Sequence, residues 1–201
     1  MSPMIRAEVR MAKATGLRFS ESLSGYLAEG EECQSAYETG RMAGNSARFW
    51  VTVRIPDLKS FIADPEHIAP MTGRVRLSGL GNSMATEGAR VHLFCRRNGE
   101  KRLLYYLPFR WEGKRYLLRG EKRLQNPKGL ATWRQMTTLY AELVRLEDEG
   151  GPVVGRSVLR IGPRQVMLQA LSFRPEGTSN PIRFLAGCFR FLHFSSREMR
   201  G

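Results

Sequence analysis

The residues whose types and spacing point to chemistry are basic and aromatic side chains in the middle of the chain. Residues 90–134 contain thirteen basic and three acidic side chains, a net charge of +10, and arginine far outnumbers lysine. The planar guanidinium group of arginine pairs with carboxylate or phosphate through two hydrogen bonds. We therefore expect an anionic neighbour: nucleic acid, acidic lipid head groups, an anionic ligand or an acidic protein domain. The candidate anion-binding residues are Arg90, Arg96, Arg119 and Lys122, and an exposed cross-strand pair with Glu21 is the alternative for Lys122.

An apolar segment lies within this basic region. Residues 103–109 are apolar on both faces of the strand that they predict, so we expect both faces to be covered. Inside a barrel or sandwich the covered space holds either packed side chains or an apolar ligand, and the sequence leaves both open. Aromatic and hydroxyl side chains at the edge of such a cavity are candidate ligand contacts. They are Tyr105, Tyr106, Tyr116, Tyr140, Trp133 and Thr138.

The motifs of several common enzyme classes are absent from the sequence. It contains no glycine-rich nucleotide motif, no Gly-x-Ser-x-Gly and no His-Glu-x-x-His, so we expect no cofactor and no metal. The three histidines are too far apart in sequence for a short metal motif, and the three cysteines are expected to be free thiols. Asp57, Asp64 and His67 are close enough in sequence to form an acid–base group, or to serve only as helix caps and loop hydrogen bonds.

Short apolar-alternating segments, separated by Gly, Pro and Asn, predict an antiparallel β-protein. Asn98-Gly99 predicts a tight hairpin, and Glu112-Gly113 and residues 126–129 predict further turns. Residues 90–146 are therefore expected to form a four-stranded meander. The predicted strands are residues 49–55, 74–77, 90–96, 102–110, 115–124, 137–146 and 153–161.

Helices are expected to be few. Residues 57–62, with Asp57 as N-cap, and residues 162–171 predict short helices. Asn180 and Pro181 begin a longer C-terminal helix with two apolar stripes. A helix that is apolar on most sides either packs deep against a sheet or serves a partner or a membrane surface. The fold class expected is mainly β: an antiparallel barrel or a two-sheet sandwich, with a C-terminal helix and one or two short helices.

Composition sets the domain organisation. The chain has 201 residues, 42% of them hydrophobic and 25% charged, which is typical of one globular domain and not of a disordered chain. We expect a flexible segment at residues 1–16 and a single β-rich domain at residues 17–201. The first residues lack the apolar stretch of a secretory signal, and no apolar run is long enough to cross a bilayer, so a cytoplasmic location is expected.

Three stretches resemble a known family. The first stretch is residues 19–26, and the second is Asp57-Leu58 with Phe61, Asp64 and His67. The third is Gly120-x-Lys122 with Trp133 and residues 137–140. Together they are similar to the region that accompanies the flavin domain in cholesterol-oxidase-like proteins of the glucose-methanol-choline oxidoreductase group. This chain departs from that pattern after the tryptophan, where Gln135 and Met136 replace an acidic residue and a threonine. The resemblance implies an accessory region that, beside a flavoprotein, either docks the enzyme or holds a sterol-like or acyl substrate.

The leading functional hypothesis is therefore a non-catalytic binding or accessory domain with an apolar interior and an arginine-rich exterior. Its expected partners are an apolar small molecule or lipid and an acidic protein such as a flavoprotein. One alternative is a small enzyme in which a tyrosine meets His67, His92 or an aspartate in the cavity. The other is the binding of single-stranded nucleic acid, although the expected RNA-binding consensus is absent.

Overall fold

A computed structural model describes residues 15–80, 83–125, 130–147, 151–177 and 180–200. Residues 1–14 of the predicted flexible segment and the predicted turn at residues 126–129 lie outside the described residues. The strands are β1 (Gly16–Ala28), β2 (Ser46–Ile55), β3 (Ile68–Leu77), β4 (Met84–Ala85), β5 (Ala89–Arg97), β6 (Glu100–Trp111), β7 (Lys114–Leu124), β8 (Thr138–Leu146), β9 (Val153–Arg160) and β10 (Arg174–Glu176). The helices are α1 (Cys33–Met42), α2 (Leu58–Ala63), α3 (Leu130–Thr137), α4 (Pro163–Leu171) and α5 (Pro181–Arg200).

Eight of the strands form a closed antiparallel barrel. The order around it is β1, β2, β3, β5, β6, β7, β8 and β9, and β9 pairs with β1 to close the ring. The short strands β4 and β10 pair with the edges of β3 and β1. The expected mainly β, antiparallel fold is confirmed, and of the two architectures that the sequence allowed, the chain adopts the barrel.

The turns and alternation that predicted the meander are present. Asn98 and Gly99 both have positive φ, 51° and 80°, and join β5 to β6 as a two-residue turn. Glu112 and Gly113 join β6 to β7 in the same way. Strands β5 to β8 pair in sequence, as expected for residues 90–146.

One strand breaks the expected alternation. The pairing of β5 with β6 shifts between His92 and Cys95, and Phe94 has a φ of 58°. The resulting β-bulge turns both Leu93 and Phe94 toward the barrel interior. His92 is largely buried beside Glu66.

Helices cover one end of the barrel. Asp57 caps α2 through the backbone N–H groups of Lys59 and Ser60, and α4 begins at Pro163, as expected. Asn180 accepts hydrogen bonds from the backbone N–H groups of Ile182 and Arg183 and so caps α5. No helix among the described residues is long and apolar enough to cross a membrane.

The two apolar stripes of α5 have different surroundings. Phe191 and Phe194 of one stripe are buried, and Phe194 contacts the rings of Phe61 and Phe94. The other stripe is exposed. Its residues are Ile182, Leu185, Phe189 and Leu192.

Helices α1 and α3 were not predicted. α1 packs against the barrel through Ala36 and Gly40, which have almost no apolar side chain, so no hydrophobic periodicity marks it in the sequence. A Cβ atom at Gly40 would lie 2.6 Å from the carbonyl oxygen of Leu27, which shows how closely the two backbones approach. The three cysteines are free, as expected.

Candidate functional site

A cavity of about 230 Å³ lies inside the barrel at the end covered by the helices. Strands supply its wall, and α3, α4, α5 and Phe173 supply its cover. The lining is mainly apolar, with a buried polar cluster on the strands and with Thr137, Gln169 and Ser195 on the cover. The apolar side chains are Phe19, Val53, Val91, Leu93, Phe94, Leu103, Trp133, Met136, Ile161, Val166, Phe173 and Phe191.

The polar cluster consists of Glu21, Lys122 and Tyr105. Lys122 Nζ donates to Glu21 Oε1 at 2.8 Å, and the hydroxyl of Tyr105 donates to Glu21 Oε2 at 2.9 Å. Lys122 Nζ also lies 5.0 Å from the centre of the Tyr105 ring. Each of these residues is at most 5% exposed. An ion pair, a phenol and an aromatic face therefore meet in a mainly apolar space.

Strand alternation places these side chains inside. On β1, Glu21 shares its face with the buried residues Phe19 and Leu23. On β7, Lys122 shares its face with the buried residue Leu118. β1 and β7 are not neighbours in the ring, since β8 and β9 lie between them, so the ion pair crosses the interior. The polar cluster thus ties opposite walls of the barrel together.

The environment of the cluster changes the acidity of its phenol. Complete burial raises the pKa of Tyr105 well above its usual value, and the negative charge of Glu21 adds to that rise. Tyr105 is therefore a hydrogen-bond donor at every ordinary pH. Glu21 accepts from both partners, which compensates for much of the cost of placing a carboxylate in an apolar interior.

Several residues that carry the family resemblance meet at the cavity. Phe19 and Glu21 come from the first stretch, and Lys122, Trp133 and Thr137 from the last. They lie on β1, β7 and α3, and the fold brings them together. Met136, where the family pattern has a threonine, is also part of the lining.

The candidate ligand-binding residues do not form one group. Tyr105 and Trp133 line the cavity. Tyr106 and Tyr140 lie on the outer wall with Arg119, and Thr138 lies in an outer groove beside Trp133. Tyr116 is packed against Phe109, with ring centroids 5.7 Å apart. The side-chain period of two separates Tyr105 from Tyr106, since neighbouring residues on a strand point to opposite faces.

The strand that was expected to be covered on both faces is covered on one. Residues 103, 105, 107 and 109 of β6 are buried, whereas Leu104 and Tyr106 are half-buried on the outer wall. Arg90 lies over the ring of Tyr106, with its guanidinium carbon 4.9 Å from the ring centre. The outer apolar residues are thus partly covered by charged side chains.

The acid–base arrangements expected from the sequence are not assembled. Asp57 caps α2, and Asp64 accepts from the backbone N–H of Glu66. His67 is buried against Phe61 and Phe194, and its Nδ1 has no partner among the described residues. The hydroxyl of Tyr105 meets Glu21, and none of the four candidate tyrosines hydrogen-bonds a histidine or an aspartate in the described part of the chain.

The candidate anion-binding residues have different environments. Arg90 and Arg96 are exposed, and neither forms an ion pair within the described ranges. Arg119 is paired with Glu142, Nη2 to Oε2 at 2.7 Å. Lys122 was expected to meet anions on the exterior or to form an exposed pair with Glu21. The pair exists, but it is buried because the inward face of β7 carries Lys122 into the barrel.

Much of the positive charge in residues 90–134 is neutralised within the chain. Seven of these basic side chains form ion pairs with glutamates. The expected arginine-studded exterior is therefore partly self-paired. The seven are Arg97, Lys101, Arg102, Arg110, Arg119, Lys122 and Arg123.

Sequence reasoning suggested a Glu21–Lys122 pair at the surface, but it missed the burial of that pair with Tyr105 and the cover of the cavity. The cluster could have been predicted from charged residues at inward-facing positions of two strands. They stand in the series Phe19-x-Glu21-x-Leu23 of β1 and Leu118-x-Gly120-x-Lys122 of β7. The cover residues Val166 and Phe173 carry no local signal, since their place depends on how α4 docks. No group of three His, Cys, Asp or Glu residues suited to a metal occurs in the ranges that the structure describes.

No protein-family model, curated protein or solved structure matches this chain. The resemblance to the region that accompanies flavoprotein oxidases consequently stays a prediction.

Proposed function

We propose that the barrel is a binding domain for a small, mainly apolar and uncharged molecule, which occupies the cavity and places one polar acceptor group at Lys122. The observation that carries the proposal is a buried polar cluster in a mainly apolar cavity, the arrangement usual in small-molecule sites. The proposal assigns no catalytic step to the protein. The role beside a flavoprotein remains what the resemblance implies.

The volume sets the size of the ligand. A cavity of about 150 Å³ holds benzene, so about 230 Å³ corresponds to roughly ten non-hydrogen atoms. A whole sterol is larger than this space. The molecule proposed is a single ring system or an acyl chain of about ten carbons.

The charge of the cluster sets the polarity of the ligand. Glu21 already neutralises Lys122, so an added carboxylate would leave a net negative charge in an apolar space. An ammonium group has three N–H donors, and Lys122 gives one of them to Glu21. The structure shows no other acceptor for Lys122 in the described residues, so a ketone or alcohol oxygen is the matching group.

Binding can be measured with three ten-carbon probes: 2-decanone, 1-decanol and decanoate. Titrations can be followed by calorimetry and, because Trp133 lines the cavity, by tryptophan fluorescence. They should show saturable binding of the ketone and the alcohol. We expect decanoate to bind at least about tenfold more weakly, because its charge would be buried without compensation.

A variant that fills the cavity tests the location. Met136→Trp places a large ring in the cavity from α3, whereas Ala131→Trp adds the same ring to an exposed position of the same helix. Met136→Trp should abolish binding and Ala131→Trp should preserve it. A folded wild-type protein that binds none of the probes, or equal binding by the two variants, would contradict the proposal.

A further inference from the structure

The exposed stripe of α5 is not needed by the core. Ile182, Leu185, Phe189 and Leu192 are between 55% and 76% exposed, whereas Phe191 and Phe194 on the opposite side of the helix are buried. α5 therefore already has a face that packs against the barrel. Four large apolar side chains at helical spacing remain in contact with solvent.

A second helix also exposes apolar side chains. Met167, Leu168 and Leu171 of α4 are between 51% and 65% exposed. α4 and α5 both contact β1, and both supply residues to the lining of the same cavity. Single exposed apolar residues are common on proteins, but four large ones at helical spacing on one helix indicate an interaction surface. We call the four exposed side chains of α5 the apolar face.

The apolar face is accompanied by unpaired positive charge. Residues 162–200 contain six arginines and two glutamates. Glu176 is paired with Arg54, and Glu198 with Lys101 and Arg197. The side chains of Arg164, Arg183 and Arg190 have no acidic partner in the described part of the chain. Arg183, Arg190 and Arg197 recur every seven residues, so they share one edge of α5 beside the exposed stripe.

We propose that the apolar face docks on the surface of an anionic lipid bilayer, with α5 lying along the interface and its arginines at the lipid head groups. A helix with an apolar stripe bordered by arginines has the composition of an interfacial helix. A second copy of this chain is disfavoured as the occupant, because it would bring the same arginines together. This proposal does not depend on the identity of the cavity ligand.

Co-sedimentation of the full chain with vesicles tests the proposal. One set of vesicles contains phosphatidylcholine alone, and the other contains phosphatidylcholine mixed with phosphatidylglycerol. We expect binding to the mixed vesicles, little binding to the neutral ones, and a loss of binding as salt is raised, since salt screens the arginines from the head groups.

Substitutions on the helices separate the apolar and the electrostatic contributions. Phe189→Glu should weaken binding to mixed vesicles at least about tenfold, while Met42→Glu, at an equally exposed apolar residue of α1, should leave it nearly unchanged. Arg183→Glu and Arg190→Glu should each weaken binding about fivefold or more. Arg76→Glu, which changes the net charge equally at an exposed position of β3, is their control.

Other results would overturn the proposal. Absent or equal binding to the two vesicle types, or binding unaffected by Phe189→Glu, excludes docking on an anionic bilayer through this face. Dimers without vesicle binding, abolished by Phe189→Glu, would show that a second copy covers the face. A large loss of thermal stability in Phe189→Glu would show that another part of this chain covers it.

Discussion

The interior ion pair is the least common feature of this protein at the scale of single residues. Glu21 and Lys122 are almost fully buried and hydrogen-bonded, and Tyr105 completes the coordination of the carboxylate. A buried ion pair contributes little net stability relative to apolar residues of the same volume, because both ions lose their hydration. Its retention inside a barrel is easier to explain by ligand recognition than by stability.

Loss of one partner should be far more damaging than loss of the whole cluster. Lys122→Met leaves Glu21 buried without compensation, so the free energy of unfolding should fall by about 3–5 kcal/mol. The triple variant that combines Glu21→Leu, Lys122→Met and Tyr105→Phe leaves no unpaired polar group. It should therefore recover most of the lost free energy of unfolding. Urea denaturation measures both. If the free energy of unfolding of Lys122→Met lies within about 1 kcal/mol of the wild-type value, the pair is not desolvated.

Glu66 gives the protein a pH-dependent contact on its outer wall. Arg97 holds both of its oxygens, at 2.8 Å and 2.5 Å, and His92 Nδ1 lies 3.0 Å from Oε2. Hydrogen bonds from Arg97, then from His92, lower the pKa of Glu66 to about 2. The folded state therefore favours the ionised carboxylate more strongly than the unfolded state does.

This shift has a definite sign and pH window. A carboxyl group with a lowered pKa in the folded state stabilises the protein above its unfolded pKa of about 4.3, and that contribution is lost as the pH falls toward about 2. The stability difference between wild type and Glu66→Gln should thus be present at neutral pH and vanish over this window. Glu29→Gln, at an exposed residue without an ion pair in the described chain, should show no such trend.

At the scale of elements, barrel closure depends on a close approach of β1 and β9. A Cβ atom at Gly25 would lie 2.1 Å from the carbonyl oxygen of Val158, so only glycine fits without moving the backbone. Gly25 belonged to the stretch that carries the family resemblance, and the structure gives it this packing role.

Gly25→Ala should therefore weaken the closure of the barrel. We expect the free energy of unfolding to fall by about 2 kcal/mol or more, with faster amide hydrogen exchange in β1 and β9, because one of the strands must move away. Ser24→Ala, at the exposed neighbouring residue, should change stability by less than about 0.5 kcal/mol. Similar stabilities for the two variants would contradict the assigned role.

Local patterns predicted most strands but not their faces. Alternation and the Asn98-Gly99 turn located the meander, whereas residues 103–109 are apolar at every position, so nothing local distinguished the inward Tyr105 from the outward Tyr106. The bulge at Phe94 reverses the alternation within β5 and has no composition signal of its own. Helix α1 escaped prediction because its contact residues are small.

At the scale of the whole molecule, unpaired positive charge lies both on the barrel wall and on its helical cover. Glutamates pair with many of the basic residues of β5 to β7, but Arg90 and Arg96 of the wall have no acidic partner among the described residues, and neither do three arginines of α4 and α5. Part of the net charge of +13 is therefore left free at each of these places. Composition gave the amount of charge, and only the tertiary pairing showed where it is left free.

The pairing of β1 with β9 has a consequence for synthesis on the ribosome. β1 ends at Ala28 and β9 at Arg160, so the ring stays open until nearly the entire wall has been translated. Until then one edge of β1 offers unpaired amide and carbonyl groups to any neighbouring chain. Nascent chains of this protein are accordingly exposed to aggregation through the open edge of β1 until the last wall strand emerges.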